Sequence, residues 1–216
     1  MSKIKELNQL FSEWKECHAK EGDDSCQMTF PLYKDKVIDV DKFKNNWTND
    51  GYLNDNSTCR ILFILKESNI EELADKEFVI GDSIFWLKEN REKYRKAIPR
   101  RLKKLTVKLL DIDDSSKWYE YAAMMNINKR GGFRNCKFEN LLQYADIYSD
   151  KINKQIEILD PEIIVFLGRE FFDNRDEVLN IIEQCKGRKV RFHYHPSRKG
   201  DKNNFTDTHF LEEIMY

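Results

Sequence analysis

The chain has 216 residues, 40% hydrophobic and 35% charged, with a formal net charge of -1 at pH 7. Its 14 Phe, 9 Tyr and 4 Trp supply enough apolar surface for a sizeable core, and only 8 Gly and 4 Pro are present, so disordered and collagenous chains are excluded. Apolar runs such as 61–65 and 163–167 fall far short of the ~20 residues of a membrane span. The charged N-terminal stretch lacks a signal-peptide core, so a soluble, cytoplasmic, globular protein is expected. Five cysteines, an odd number without a CxxC pair, indicate neither a disulfide framework nor a zinc ribbon.

Ile4, Leu7, Leu10, Phe11 and Trp14 recur at helical spacing and predict an amphipathic helix over 4–17. Residues 21–57 are polar with scattered aromatics and read as an irregular elaboration on the main body. A buried strand is expected over 60–65 (RILFIL), running into the polar stretch 66–69. Pro99 is placed to open a helix whose apolar face is Leu102, Leu105, Leu109 and Leu110. A second strand is expected over 119–127 (YEYAAMMNI), ending in a loop, NKRGG. Phe138, Leu141, Leu142, Ala145, Ile152 and Ile156 mark helices, and 163–167 (IIVFL) is a third strand closed by Gly168. Residues 171–185 read as helical, 189–194 as a fourth strand, and 210–214 as the start of a closing helix.

Nearly continuous apolar strands separated by helices imply a mainly parallel sheet covered on both faces, in a single domain over 1–216 with 1–58 as helix plus elaboration. Ligands of such folds bind beyond the carboxyl ends of the strands. There the sequence delivers LKESN, NINKRGG, LGRE and HYHPSR. No GxGxxG, GxxxxGK[ST] or GxSxG motif is present, which removes the best support for nucleotide-cofactor or hydrolase-elbow chemistry.

Glu67, flanked by Lys66 and Ser68 at a strand end, suits a general base or a water-positioning group, and equally a surface Lys–Glu pair. Asn126 offers a planar donor and acceptor to a base edge, or caps a turn. His195, followed by Pro196 and Ser197, is oriented either to donate to a developing oxyanion or to bond structurally in a turn. Between Lys88 and Lys108 stand ten basic residues against two glutamates, and between Lys186 and Lys202 seven against one aspartate. Lys129 and Arg130 belong to a third basic stretch. Positive charge near one crevice suits a phosphate backbone, while a solvated helix face explains the first cluster as well. Phe85 and Trp86 are placed to stack on a base or to pack in the core.

In content and order these segments resemble the uracil-DNA glycosylase superfamily: RILFILKESN, AAMMNINKRGG, DPEIIVFLG and HYHPSR follow one another as that superfamily's water-activating loop, base-reading Asn strand, third strand and HPS motif do. The resemblance covers residue 60 to the C-terminus. It implies a three-layer α/β/α sandwich with a four-stranded central sheet and hydrolysis of the N-glycosidic bond of a flipped, uracil-like or damaged base in DNA. Glu67 and His195 would be catalytic, and Lys66, Ser68, Phe85, Trp86 and Asn126 would hold the base. Lys129, Arg130, Ser197, Arg198 and Lys199 would contact DNA. A monomer without metal, cofactor or iron–sulfur cluster is implied, because the cysteines lack the cluster spacing. Glu67 and Ser68 depart from the family's usual Asp and Pro, and Arg198 and Lys199 replace an apolar wedge. A non-catalytic nucleic-acid-binding protein on the same fold and a nucleoside or nucleotide hydrolase are the alternatives.

Overall fold

The computed structural model describes residues 2–21, 32–33, 36–37, 58–69, 97–132 and 138–196. Helix α1 (Lys3–Glu21) precedes a small antiparallel pair, β1 (Leu32–Tyr33) and β2 (Lys36–Val37). There follow β3 (Ile61–Asn69), α2 (Ala97–Leu110), α3 (Trp118–Tyr121), β4 (Ala122–Gly132), α4 (Phe138–Ile147) and α5 (Ser149–Leu159). The described chain closes with β5 (Ile163–Leu167), α6 (Arg169–Asp173), α7 (Arg175–Ile181) and β6 (Lys189–His193). The closing helix expected over 210–214 lies outside the described residues. Among the described residues, no helix is long and apolar enough to cross a membrane.

The four long strands form one sheet in the order β4-β3-β5-β6, every neighbouring pair parallel. The chain passes from β3 to β4 on one side and returns to β5 on the other, so the order reverses between β3 and β5. In open α/β sheets the ligand crevice lies beyond the strand ends at such a reversal.

Alternation sorts the side chains into two apolar clusters. Leu62, Ile64, Ala123, Met125, Ile127, Ile164, Phe166 and Phe192 pack on one face with residues of α1, α4, α5, α6 and α7. Ile61, Phe63, Leu65, Ala122, Met124, Ile163, Val165 and Leu167 pack on the other with Leu102, Leu105 and Leu110 of α2 and Trp118 of α3. Strand β5 is buried at all five positions because it has a strand on each side and an apolar cluster above and below. Just before it, Asp160 takes a left-handed conformation (φ 51°) and its N–H caps the Ile156 carbonyl, ending α5 ahead of Pro161.

Two sequence expectations are corrected. Residues 119–121 are helical, and β4 begins at Ala122 and continues through NKRGG to Gly132. Partner bonds with β3 carry this polar stretch as strand, through a bulge: Glu67 pairs with Asn128 and Ser68 with Gly131, leaving Lys129 and Arg130 as two extra residues on β4. The single helix expected over 171–185 is broken into α6, α7 and a 3-10 turn at Glu183–Cys185.

The short α6 is held by aromatic packing. The Phe171 ring lies 5.3 Å from Phe166 and 5.6 Å edge-on from Phe138, while Phe166 stacks on Phe192 at 5.2 Å. Phe171→Ala removes a ring with no exposed surface and is expected to cost ~3–5 kcal/mol, visible as a lower urea midpoint with an unchanged m-value.

Candidate functional site

The ends of β3, β4, β5 and β6 bring together side chains more than a hundred residues apart in sequence. Lys66 continues the row of Leu62 and Ile64, and Glu67 continues the row of Ile61, Phe63 and Leu65, so the two point to opposite faces. Across the pair to β4, Glu67 Oε2 accepts a hydrogen bond from Asn128 Nδ2 at 3.2 Å. Asn126 stands one pleat deeper, opposite Leu65, and is only 6% exposed. The strand register thus gives Glu67 the amide of Asn128, a residue the sequence placed in a loop.

On the other face, Lys66 Nζ donates to Glu170 Oε1 at 2.7 Å. Glu170 lies in the first turn of α6, directly beyond Gly168. A Cβ on Gly168 would stand 3.2 Å from Glu170 Oε2 and 3.4 Å from the Phe171 ring, and its φ of 155° disfavours other residues. Partial burial alone would raise the Glu170 carboxyl; the Lys66 hydrogen bond, its own backbone N–H and the nearby positive charge outweigh it and leave the carboxyl below its usual range.

His195 follows β6 by two residues. Burial pushes its imidazole down to about 4, with the Lys66 ammonium pushing the same way and the Glu170 carboxylate opposing. At neutral pH the ring is therefore uncharged, with one nitrogen to donate and one to accept. The next residue is anchored from α2, where buried Arg101 donates from a terminal guanidinium nitrogen to the Pro196 carbonyl at 2.8 Å. Gly168 N–H donates to the His193 carbonyl at 2.8 Å, so β5 and β6 stay paired up to the mouth of the crevice.

The DNA contact expected of Lys129 is corrected. Its side chain has no exposed surface; Nζ donates to the Asn126 carbonyl at 2.6 Å and lies 5.1 Å from the centre of the Trp14 ring. The alternation Met125, Ile127, Lys129 directs it into the α1–α4 side of the core, where no phosphate reaches it. Phe85, Trp86, Ser197, Arg198 and Lys199, and the side chains of Ser68 and Arg130, lie outside the described residues. Of the first basic cluster, Arg101 is buried while Arg100, Lys104 and Lys108 are exposed.

Sequence reasoning missed Asn128, Glu170 and Arg101. Arg101 stands four residues before Leu105, a spacing that places it on the buried face of α2. Glu170 lies in LGRE, a segment the sequence places at a strand end, but nothing local singles it out. Burial pushes the Cys59 and Cys185 thiols up to about 12, so neither supplies a thiolate nucleophile at neutral pH. Among the described residues, no group of three or more His, Cys, Asp or Glu side chains is placed to hold a metal ion. Compared with protein-family models and with curated proteins, the chain matches none.

Two predictions follow from this geometry. Unfolded, His195 takes up its proton near its ordinary value of 6.5; folded, it does so only at about 4. The unfolded chain therefore binds the extra proton between those values, and this contribution, on the order of 3 kcal/mol, is intact above the upper value and lost as pH falls toward the lower. Urea midpoints measured across this interval should fall steeply for the wild type and less steeply for His195→Asn. Lys129→Ala should lower the urea midpoint and leave the salt slope of any nucleic-acid binding unchanged; a slope reduced by about one would restore Lys129 as a phosphate contact.

Proposed function

We propose that the chain is a hydrolase that cleaves the N-glycosidic bond of a flipped, uracil-like or damaged base in DNA, on a uracil-DNA-glycosylase-like three-layer fold. The observation that carries this is a carboxylate oriented by an amide, Glu67 with Asn128, at the end of β3 beside the strand-order reversal; a neutral imidazole, His195, follows β6 at the same end of the sheet. Apolar clusters on both faces of an all-parallel sheet support the layered architecture.

In this mechanism the target nucleotide leaves the stack, at a cost of a few kcal/mol that is least for a damaged or single-stranded base. Asn128 orients the Glu67 carboxylate, which accepts a proton from a water that attacks C1′. As the C1′–N bond breaks, its electron pair passes into the base, whose carbonyl oxygen becomes negative. His195, uncharged, donates a hydrogen bond to that oxygen without giving up its proton. Asn126, on the same face as Glu67 and one pleat below, offers its amide to the base edge. Phe85 or Trp86 would stack on the base, and Arg130, Ser197, Arg198 and Lys199 would meet the DNA backbone. The protein acts as a cytoplasmic monomer.

The test is a single-turnover incubation with end-labelled single- and double-stranded oligonucleotides bearing uracil, hypoxanthine, xanthine or alkylated bases, followed by alkali. Wild-type protein should give a cleavage band at one of these bases. His195→Ala should slow it by about 10²–10³-fold and Glu67→Gln by about 10²–10⁴-fold, with DNA affinity little changed. Binding without release of any base would replace the hydrolase with a non-catalytic binder, and release from free nucleosides alone would make the substrate a small molecule.

A further inference from the structure

We propose that Lys129 is a positioning residue for the Glu67–Asn128 pair: its buried ammonium ties back to the Asn126 carbonyl and fixes the β4 bulge that turns the Asn128 amide toward Glu67. The inference goes beyond the hydrolase proposal, because it concerns how this pair is held whatever the substrate.

The contacts run in an unbroken series. Lys129 Nζ donates to the Asn126 carbonyl at 2.6 Å, so the side chain closes a small loop over the stretch of strand that contains Asn128. The Lys129 backbone N–H donates to the Tyr144 hydroxyl of α4 at 3.3 Å, a second tie on the same residue. The Trp14 ring of α1 has its centre 5.1 Å from the ammonium. Lys129, Tyr144 and Trp14 have no exposed surface. Asn128, equally buried, faces the other side of the sheet and donates from Nδ2 to Glu67 Oε2 at 3.2 Å. The register of β3 with β4 slips directly after this pair, between Glu67 and Ser68. The bulge thus begins at the residue that Lys129 holds.

Taking an ammonium out of water is costly, and an apolar chain of similar length would fill the same space without that cost. Core filling therefore does not account for a lysine here. The aromatic face steadies the charge, but the carbonyl bond is the contact that restrains backbone. A bulge takes its extra residues out of the regular ladder, so the chain there needs other restraints, and Lys129 supplies two. Because Trp14 belongs to α1, the support of the site reaches into the N-terminal helix, although Glu67, Asn126, Asn128 and His195 all lie beyond residue 60.

The test reads the Asn128 side-chain amide in two-dimensional NMR on the full chain, assigned by the signal lost in Asn128→Ala. Glu67→Gln should shift this signal, and the size of the shift measures the Asn128–Glu67 bond. In a Lys129→Met background, where methionine fills the core, the shift should fall to about half or less. Tyr144→Phe removes the second tie at nearly constant volume; it should reduce the shift too, and it decides the matter if Lys129→Met does not fold. A shift of wild-type size in the deciding variant, or no shift on Glu67→Gln in the wild type, would overturn the proposal. Lys129 would then be a core strut, which lowers the urea midpoint and leaves this signal unmoved. On the hydrolase reading, Lys129→Met should also lower kcat by up to about 10²-fold with KM little changed. Absence of base release from the wild type would sink that reading alone, since the amide shift still decides this one.

Discussion

Strand β3 is paired with β4 from Ile61 to Asn69, but its register with β5 runs only from Ile61 to Ile64. Among the described residues, the last five residues of β3 therefore have a strand on one side only, that of β4. Lys66 and Glu67 stand on this overhang, and in the notch it makes beyond β5 the chain turns at Gly168 into α6, bringing Glu170 to Lys66. Every group in the candidate site depends on this unequal pairing. Had β5 continued alongside β3, Lys66 would have met another strand in place of Glu170.

The cost of such a notch is met by apolar packing beneath it. The aromatic set Phe138, Phe166, Phe171 and Phe192 lies directly under α6 on one face, and Leu65, Val165 and Leu167 lie under the strand ends on the other. Two buried cations tie the rim to this core, Arg101 through the Pro196 carbonyl and Lys129 through the Asn126 carbonyl. Taking a cation out of water is expensive unless it is well bonded, and removing its partners leaves that cost exposed. Both carbonyls belong to the segments that present His195 and Asn128, so the expensive contacts sit where backbone placement matters most.

How much of this was legible depends on whether a local pattern carried it. The apolar runs 61–65 and 163–167 mark β3 and β5 because both strands are covered on two faces, and IIVFL matches its strand residue for residue. The polar NKRGG reads as the end of the second strand, but pairing with β3 continues β4 through it to Gly132. Had the strand been extended, the alternation Met125, Ile127, Lys129 would have foretold that Lys129 faces the core. Glu67 and His195 were found because each sits at the end of an apolar strand. Glu170 also sits at such an end, in LGRE, but nothing local singles it out: its partner Lys66 lies 104 residues away, and the pairing of β3 with β5 brings the two together.

The bulge in β4 has a second effect, on how the molecule meets other copies of itself. Among the described residues β4 and β6 are the two outer strands of this sheet, and an outer strand offers unpaired N–H and C=O groups to any extended chain that approaches. Two extra residues at Lys129 and Arg130 break the regular spacing of those groups and increase the local twist, so a flat incoming strand finds only a short stretch in register. At the opposite edge, β6 places Lys189 and Arg191 on alternate positions, and a second copy would bring like charges together. The irregularity that shapes one end of the crevice thereby also blunts an edge on which aggregation would start.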